Sequence, residues 1–184
     1  AAYFYAMCPV LSVPAKVPHV HWKSLQGDTA FLHVLEEMGC RSVEEEDGIK
    51  LFPPENAMHG GKFDLSAFSD QALTLAAISC FADSPVTITG IGHIRFQECD
   101  RFQAIVSNLT RMGIECEKVD EETICIHPGK PKPCEIETFE DHRVAMSFAI
   151  PGLVTSGIVI LNPGCCRKTF ETYFDVLESE ICMG

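Results

Sequence analysis

One arrangement of side chains recurs three times in these 184 residues, and it restricts the fold more than any other feature. In each copy a short apolar helix leads to a hydrophobic strand, a charged loop and a second, amphipathic helix. That second helix and its exit read Asp28-Thr29-Ala30-Phe31 to Glu36-Glu37-Met38-Gly39 in copy one, and Asp100-Arg101-Phe102 to Thr110-Arg111-Met112-Gly113 in copy two. Copy three enters at Arg167-Lys168-Thr169-Phe170 and runs to Leu177-Glu178. Self-similarity of this kind means one supersecondary unit stacked on its own copies. The charge clusters fall at helix entrances, where backbone N–H groups already favour anions.

Apolar periodicity predicts the elements. In copy one a helix covers Tyr3–Leu11, Pro14 and Pro18 bracket a loop, and His19–Trp22 is a short strand. Asp28 caps a helix burying Phe31, Val34, Leu35 and Met38, which Gly39 ends. Arg41–Glu44 and Ile49–Phe52 form a hairpin around Asp47-Gly48. Copy two repeats this with helix Asp70–Phe81, strand Val86–Ile91, helix Asp100–Met112 and a hairpin joining Ile114–Lys118 to Thr123–His127. Copy three has helix Asp141–Ile150, strand Ile158–Leu161 and helix Thr169–Glu178, without a closing hairpin. The expected fold is α/β: three βαβαββ repeats about a pseudo-threefold axis, helices inside and sheets outside, in one domain spanning 1–184. The units run over about 1–52, 63–127 and 135–184, and copy one lacks its first strand. Linkers lie near Pro53–Lys62 and Pro128–Pro133.

A hydrophobic content of 46% supports a real core. The net charge of −12 argues against nucleic acid or an anionic membrane as partner. It does not exclude an anionic substrate, because screening confines exposed charges to about 10 Å, and a local cluster of Arg and Lys can hold an anion. The ten cysteines contain no CxxC, so they read as reduced, buried thiols in a reducing compartment. No apolar run is long enough to span a bilayer. The start at Ala1-Ala2-Tyr3-Phe4, already helix-like and without Met, reads as a boundary inside a longer polypeptide.

Four clusters can carry chemistry. Ser69-Asp70 begins a helix; an N-cap pair is the ordinary reason for Asp there, and a base beside an anion site is the functional one. Arg95-Phe96-Gln97-Glu98-Cys99-Asp100-Arg101 is either a solvated loop with Asp100 as cap and Arg101 exposed, or an anion site with a carboxylate placed for proton exchange. Glu140-Asp141-His142-Arg143 offers Asp141 as cap with two surface residues after it. In Arg167-Lys168-Thr169 two cations precede a helix N-terminus, opposing its dipole unless an anion binds between them. A metal reading would join His19 and His21 on one strand with His93 and His142, but no acidic or Cys partner sits at ligand spacing.

In this order the clusters resemble the C-terminal half of the 5-enolpyruvylshikimate-3-phosphate synthase family. The matching stretches are Ser69-Asp70-Gln71-Ala72, Gly92–Arg101, Asp141–Met146, and Arg167–Phe170 with Tyr173-Phe174. Lesser matches are Ser24-Leu25-Gln26-Gly27-Asp28 and Leu35–Gly39. The resemblance implies one globe of a two-domain transferase, whose other domain supplies the remaining phosphate-binding cations, and a globe completed by the far N-terminus of the polypeptide. It implies transfer of the enolpyruvyl group of phosphoenolpyruvate to the 5-hydroxyl of shikimate 3-phosphate, with release of phosphate and with neither cofactor nor metal. By position, Asp70 would accept the hydroxyl proton, and Glu98, with Lys168 nearby, would handle protons at the phosphoenolpyruvate methylene. Arg101, Arg143 and Lys168 would bind phosphoenolpyruvate, supported by His142. Asp70, His93 and Gln97 would face shikimate 3-phosphate, although many members carry Lys at the place of Gln97 and some carry Asn at that of His93. The implied location is cytoplasmic, or plastid for a plant source. Other readings are a relative acting on a UDP-sugar, which the Glu98–Arg101 and Asp141–Arg143 motifs disfavour, and a non-catalytic module of the same fold. The implied site is a locally basic surface on which the five helix-entrance residues Asp70, Glu98, Arg101, Arg143 and Lys168 converge. One domain alone is expected to be inactive.

Overall fold

The computed structural model describes residues 1–24 and 27–181, the side chain of Glu180 excepted. Leu25 and Gln26, within the Ser24–Asp28 match, lie outside the described residues. Copy one comprises α1 (Ala2–Leu11), β1 (Ala15–Pro18), α2 (Gly27–Glu37), β2 (Arg41–Glu45) and β3 (Gly48–Phe52). Copy two comprises β4 (Gly61–Asp64), α3 (Ala72–Ile78), β5 (Val86–Thr89), α4 (Arg101–Arg111), β6 (Cys116–Lys118) and β7 (Ile124–Ile126). Copy three comprises β8 (Cys134–Ile136), α5 (His142–Gly152), β9 (Ile158–Ile160), α6 (Arg167–Phe170) and α7 (Tyr173–Val176).

Copy two is the whole βαβαββ unit, and its sheet runs β4-β5-β7-β6, with β4 parallel to β5 and the other pairs antiparallel. The sheet β1-β3-β2 of copy one is the same pattern without its first strand, and β8-β9 of copy three is the same parallel pair without the hairpin. The three sheets are separate, so no continuous parallel sheet runs through the described residues.

Three helices form the interior. All seven residues of α3 are buried, as are Val144–Pro151 of α5 and Ala2, Tyr5, Ala6, Met7 and Cys8 of α1. A helix apolar on every side has to be surrounded, and α1, α3 and α5 pack on one another. A buried hydroxyl pair joins α3 to α5, Thr74 Oγ1 lying 3.1 Å from Ser147 Oγ, and the Tyr5 hydroxyl ties α1 to β3 by donating to the Ile49 carbonyl at 2.8 Å. By contrast α2 and α4 bury one face each, Phe31, Leu32, Val34 and Leu35 in α2 and Phe102, Ala104, Ile105 and Leu109 in α4. Gly39 and Gly113 follow these helices with φ of 104° and 73°, a left-handed stop that glycine adopts freely.

Two expected elements differ. The first strand is Ala15–Pro18, between the two prolines, and not His19–Trp22. Pro18 closes an edge strand whose N–H is not needed, and His19 at φ 64° breaks the extended run. The helix expected over Thr169–Glu178 starts earlier and is interrupted: a 3₁₀ turn covers Pro163–Cys166, α6 and α7 follow with a break at Glu171-Thr172, and the last turn is wider. Tyr173 is held in the core by a 2.9 Å bond to the Met146 carbonyl and by edge contacts with Tyr3, Phe4, Phe170 and Phe174. That anchor, not a 3.6-residue stripe, sets the path of the segment. Arg167 and Lys168 are the first two residues of α6, which continues directly from the 3₁₀ turn, so they lie one turn inside a helical segment and not before it.

Candidate active site

Because α1, α3 and α5 are packed together, residues at their N-terminal ends share one surface. A cavity of about 530 Å³ opens there, lined by Ala1–Tyr3, by Gly27 and Asp28, by 67–71, by His142 and Arg143, and by Thr169. Asp28 accepts the Ala2 N–H at 3.0 Å, so it serves the start of α1 from within α2 and does not cap its own helix.

The centre of the site is a chain of ion pairs. Arg101, the first residue of α4, is 3% exposed, and its Nε donates to Asp141 Oδ2 at 2.8 Å. Its Nη2 reaches Asp141 Oδ1 at 3.4 Å, and Nη1 turns outward to Asp70 Oδ1 at 3.1 Å. The other Asp70 oxygen lies 3.2 Å from Arg143 Nη2. Asp141, fully buried, also accepts the Arg143 N–H at 2.9 Å and so caps α5. Beside it Glu98 Oε2 meets His142 Nδ1 at 3.1 Å.

Burial opposes the Asp141 anion, but the Arg101 hydrogen bond and charge, the Arg143 N–H and the Cys99 thiol together outweigh it. Its carboxyl is held below the ordinary value of 3.8. The Cys99 thiol, pushed up to about 12 by desolvation and by Asp141, stays protonated and donates to that carboxylate at 3.5 Å. Desolvation likewise pushes Cys80, Cys116 and Cys166 up to about 12, so these are inert thiols.

Of the residues singled out from the sequence, Asp70, Glu98, Arg101, His142 and Arg143 come together. Asp70 is not an N-cap: both its oxygens go to arginines and no cap bond forms. Arg101 is not exposed. His93 stands next to the cluster, its Nε2 2.6 Å from the hydroxyl of Ser69. Gln97 is exposed and Lys168 is exposed on α6; neither side chain has a hydrogen bond or ion pair among the described residues. The surface is not simply basic, because Asp70, Asp141 and Glu98 balance Arg101 and Arg143. The histidines of the metal reading are dispersed: His21 pairs with Glu44, His93 with Ser69 and His142 with Glu98. Glu98, Asp141 and His142 do bring three ligand atoms within 4.8 Å, but both Asp141 oxygens accept from Arg101, so an ion would face a guanidinium.

Two functional contributions escaped sequence reasoning. Asp141 as a cap was explanation enough, which hid its role as the buried counter-ion of Arg101. Asn108, buried on the inner face of α4, clamps the approach to the site: its Nδ2 donates to the Glu137 carbonyl at 2.9 Å and its Oδ1 accepts the Glu137 N–H at 3.0 Å. The available signal was a lone amide on an apolar helix face between Ile105 and Leu109. The clamp holds the loop in which Phe139 and Glu140 have φ of 52° and 57°, a strained pair just before Asp141.

Residues 1–177 match the family model of EPSP synthase (3-phosphoshikimate 1-carboxyvinyltransferase). The chain is 44% identical over 174 residues to the 3-phosphoshikimate 1-carboxyvinyltransferase of Nostoc punctiforme, covering 95% of this chain and 40% of that protein. To the chloroplastic enzyme of Brassica napus it is 36% identical, covering 97% of this chain and 36% of the relative. A solved structure of EPSP synthase from Acinetobacter baumannii superimposes with a TM-score of 0.85 at 25% identity, over 96% of this chain and 44% of that one. The chain thus spans about 40% of the length of the curated relatives it matches, and no helix among the described residues is long and apolar enough to cross a membrane. On the match of nearly all its residues, the chain belongs to the EPSP synthase family of 3-phosphoshikimate 1-carboxyvinyltransferases.

Proposed function

We propose that this chain is the C-terminal lobe, one domain over residues 1–184, of an enzyme that moves the enolpyruvyl group of phosphoenolpyruvate to the 5-hydroxyl of shikimate 3-phosphate and releases phosphate. The observation that carries this reading is the Asp70 carboxylate suspended between Arg101 and Arg143, with the Glu98–His142 pair beside it. A hydroxyl that gains a bond to carbon must lose its proton, and Asp70 is the acceptor at the cavity wall. Glu98, oriented by His142, exchanges a proton with the phosphoenolpyruvate methylene, together with Lys168. Arg101 and Arg143 hold the phosphoenolpyruvate anion, sharing their donors between it and Asp70, and Lys168 adds a third cation when the cleft is closed. His93 and Gln97 face shikimate 3-phosphate as hydrogen-bonding groups.

The remaining phosphate contacts belong to a second lobe of the same polypeptide, and the pairing fixes the two anions in line and excludes water. The lobe works without cofactor or metal, in the cytoplasm or, in a plant, the plastid. The test is phosphate release from shikimate 3-phosphate and phosphoenolpyruvate. Turnover is expected from the full-length polypeptide and none from residues 1–184 alone. Robust turnover by the isolated lobe, or none by the full-length chain, overturns the reading.

A further inference from the structure

Arg101 and Arg143 both reach Asp70, but only Arg101 has a second ionic partner. Its Nε and Nη2 stay on the buried Asp141 whatever happens to Asp70. Arg143 pairs with Asp70 alone among the described residues, at 3.2 Å. In the reading above, Asp70 takes up the proton of the attacking hydroxyl. A neutral carboxyl no longer attracts a guanidinium, so this contact loosens at the step in which Arg143 has to hold an anion.

Tyr3 stands where that loss can be made good. It lines the same cavity as Asp70 and Arg143. Burial raises its phenol above the ordinary 10.0, opposed by the charge of Arg143 and by a side-chain hydrogen bond between the two. The phenol therefore stays protonated near neutral pH. A guanidinium can only donate, so the phenol oxygen accepts from Arg143. Tyr3 is itself anchored. Ala2, just before it, gives its N–H to Asp28 at 3.0 Å. The Tyr3 ring meets that of Tyr173 edge-on, with 6.0 Å between centroids and 66° between planes. Tyr173 is fully buried and bonded to the carbonyl of Met146, three residues after Arg143 on α5. Since α1 packs on α5, phenol and guanidinium are fixed in one frame.

We propose that Tyr3 is a positioning residue of the phosphoenolpyruvate site, whose hydroxyl holds the Arg143 guanidinium in place independently of the protonation of Asp70. The inference rests on the enzymatic reading above. Each arginine then has one fixed partner, Asp141 for Arg101 and Tyr3 for Arg143, and the two share an exchangeable one. A neutral partner suits Arg143. A second carboxylate would compete with the bound anion for the guanidinium, whereas a phenol orients it and leaves its charge to the anion.

The experiment uses the full-length polypeptide, with Tyr3→Phe, Arg143→Ala and the double variant. Phenylalanine keeps the ring for its contact with Tyr173 and removes only the hydroxyl. Steady-state assays give kcat and the KM of each substrate, and thermal unfolding gives the melting temperature. For Tyr3→Phe, kcat/KM for phosphoenolpyruvate is expected to fall about tenfold, the size of one hydrogen bond to a charged group. The KM for shikimate 3-phosphate and the melting temperature are expected to stay unchanged. Added to Arg143→Ala, the same substitution is expected to cost nothing more, because its effect passes through the arginine. A wild-type kcat/KM in Tyr3→Phe overturns the proposal. So does an equal loss in the two backgrounds, which would give the hydroxyl a role apart from Arg143, or a lowered melting temperature in Tyr3→Phe, which would assign it to packing. A wild type that does not turn over fails the enzymatic reading itself, and the proposal with it.

Discussion

Arg101–Asp141 and Arg143–Asp70 are both arginine–aspartate pairs at helix N-termini of one site, yet they are built for opposite tasks. The first is sealed, with side chains 3% and 0% exposed; the second is open, at 29% and 48%. A sealed pair has lost its water, so each partner depends on the other. An open pair keeps much of its hydration and contributes little to stability. It can therefore exchange partners without cost to the fold. Arg101 joins the two regimes: its Nε serves the sealed pair while Nη1 reaches the open one, so the fixed half positions the exchangeable half.

The sharpest way to break this contrast is Asp141→Ala. It leaves the buried Arg101 with the half-exposed Asp70 as its remaining counter-ion and is expected to cost about 3 kcal/mol of unfolding free energy, measured by urea denaturation; a loss below about 1 kcal/mol would place the pair with the open class. Arg143→Ala should do the reverse. In the full-length chain phosphoenolpyruvate affinity is expected to fall at least tenfold, about 1.4 kcal/mol, with stability changed by less than about 1 kcal/mol; calorimetric titration beside denaturation separates the two. The mildest probe is acid. The folded Asp141 carboxyl lies below its ordinary 3.8, so its contribution is complete above that value and fades as pH falls through the lower folded one. Asp141→Asn should flatten the part of the stability–pH curve below about pH 3.8 relative to the wild type, and parallel curves would show that the pair does not couple to protons.

How far the sequence revealed this site depended on whether a residue's role was local. The inner helices α1, α3 and α5 were visible because their apolar runs have few polar interruptions, and α2 and α4 because one face repeats. The unit count followed from the hairpins, and the incomplete first and third units from their missing strands. Asp70, Glu98, Arg101, His142 and Arg143 stood out as charges at helix entrances, and the packed helix ends bring them together. What stayed hidden was long-range. Asp141 met a local demand as a cap, so its partner 40 residues away left no trace in its neighbourhood. Asn108 gave no motif, since its clamp on Glu137 depends on how α4 lies against the β8–α5 connection. The strand at Ala15–Pro18 was missed because prolines normally punctuate loops, and here an edge position tolerates them.

The incomplete units also leave the chain with two unlike sheet margins. The outer margin of β1 carries Lys16 and Pro18, a charge and a residue without an N–H, both of which discourage a stray strand from adding itself. β9 reads Ile-Val-Ile, its Val159 is 52% exposed, and β8 is its sole strand partner among the described residues. Such a strand has high β-propensity and no gatekeeper. β9 is therefore a margin open to the addition of another strand, and a charged residue at Val159 is expected to make it less so.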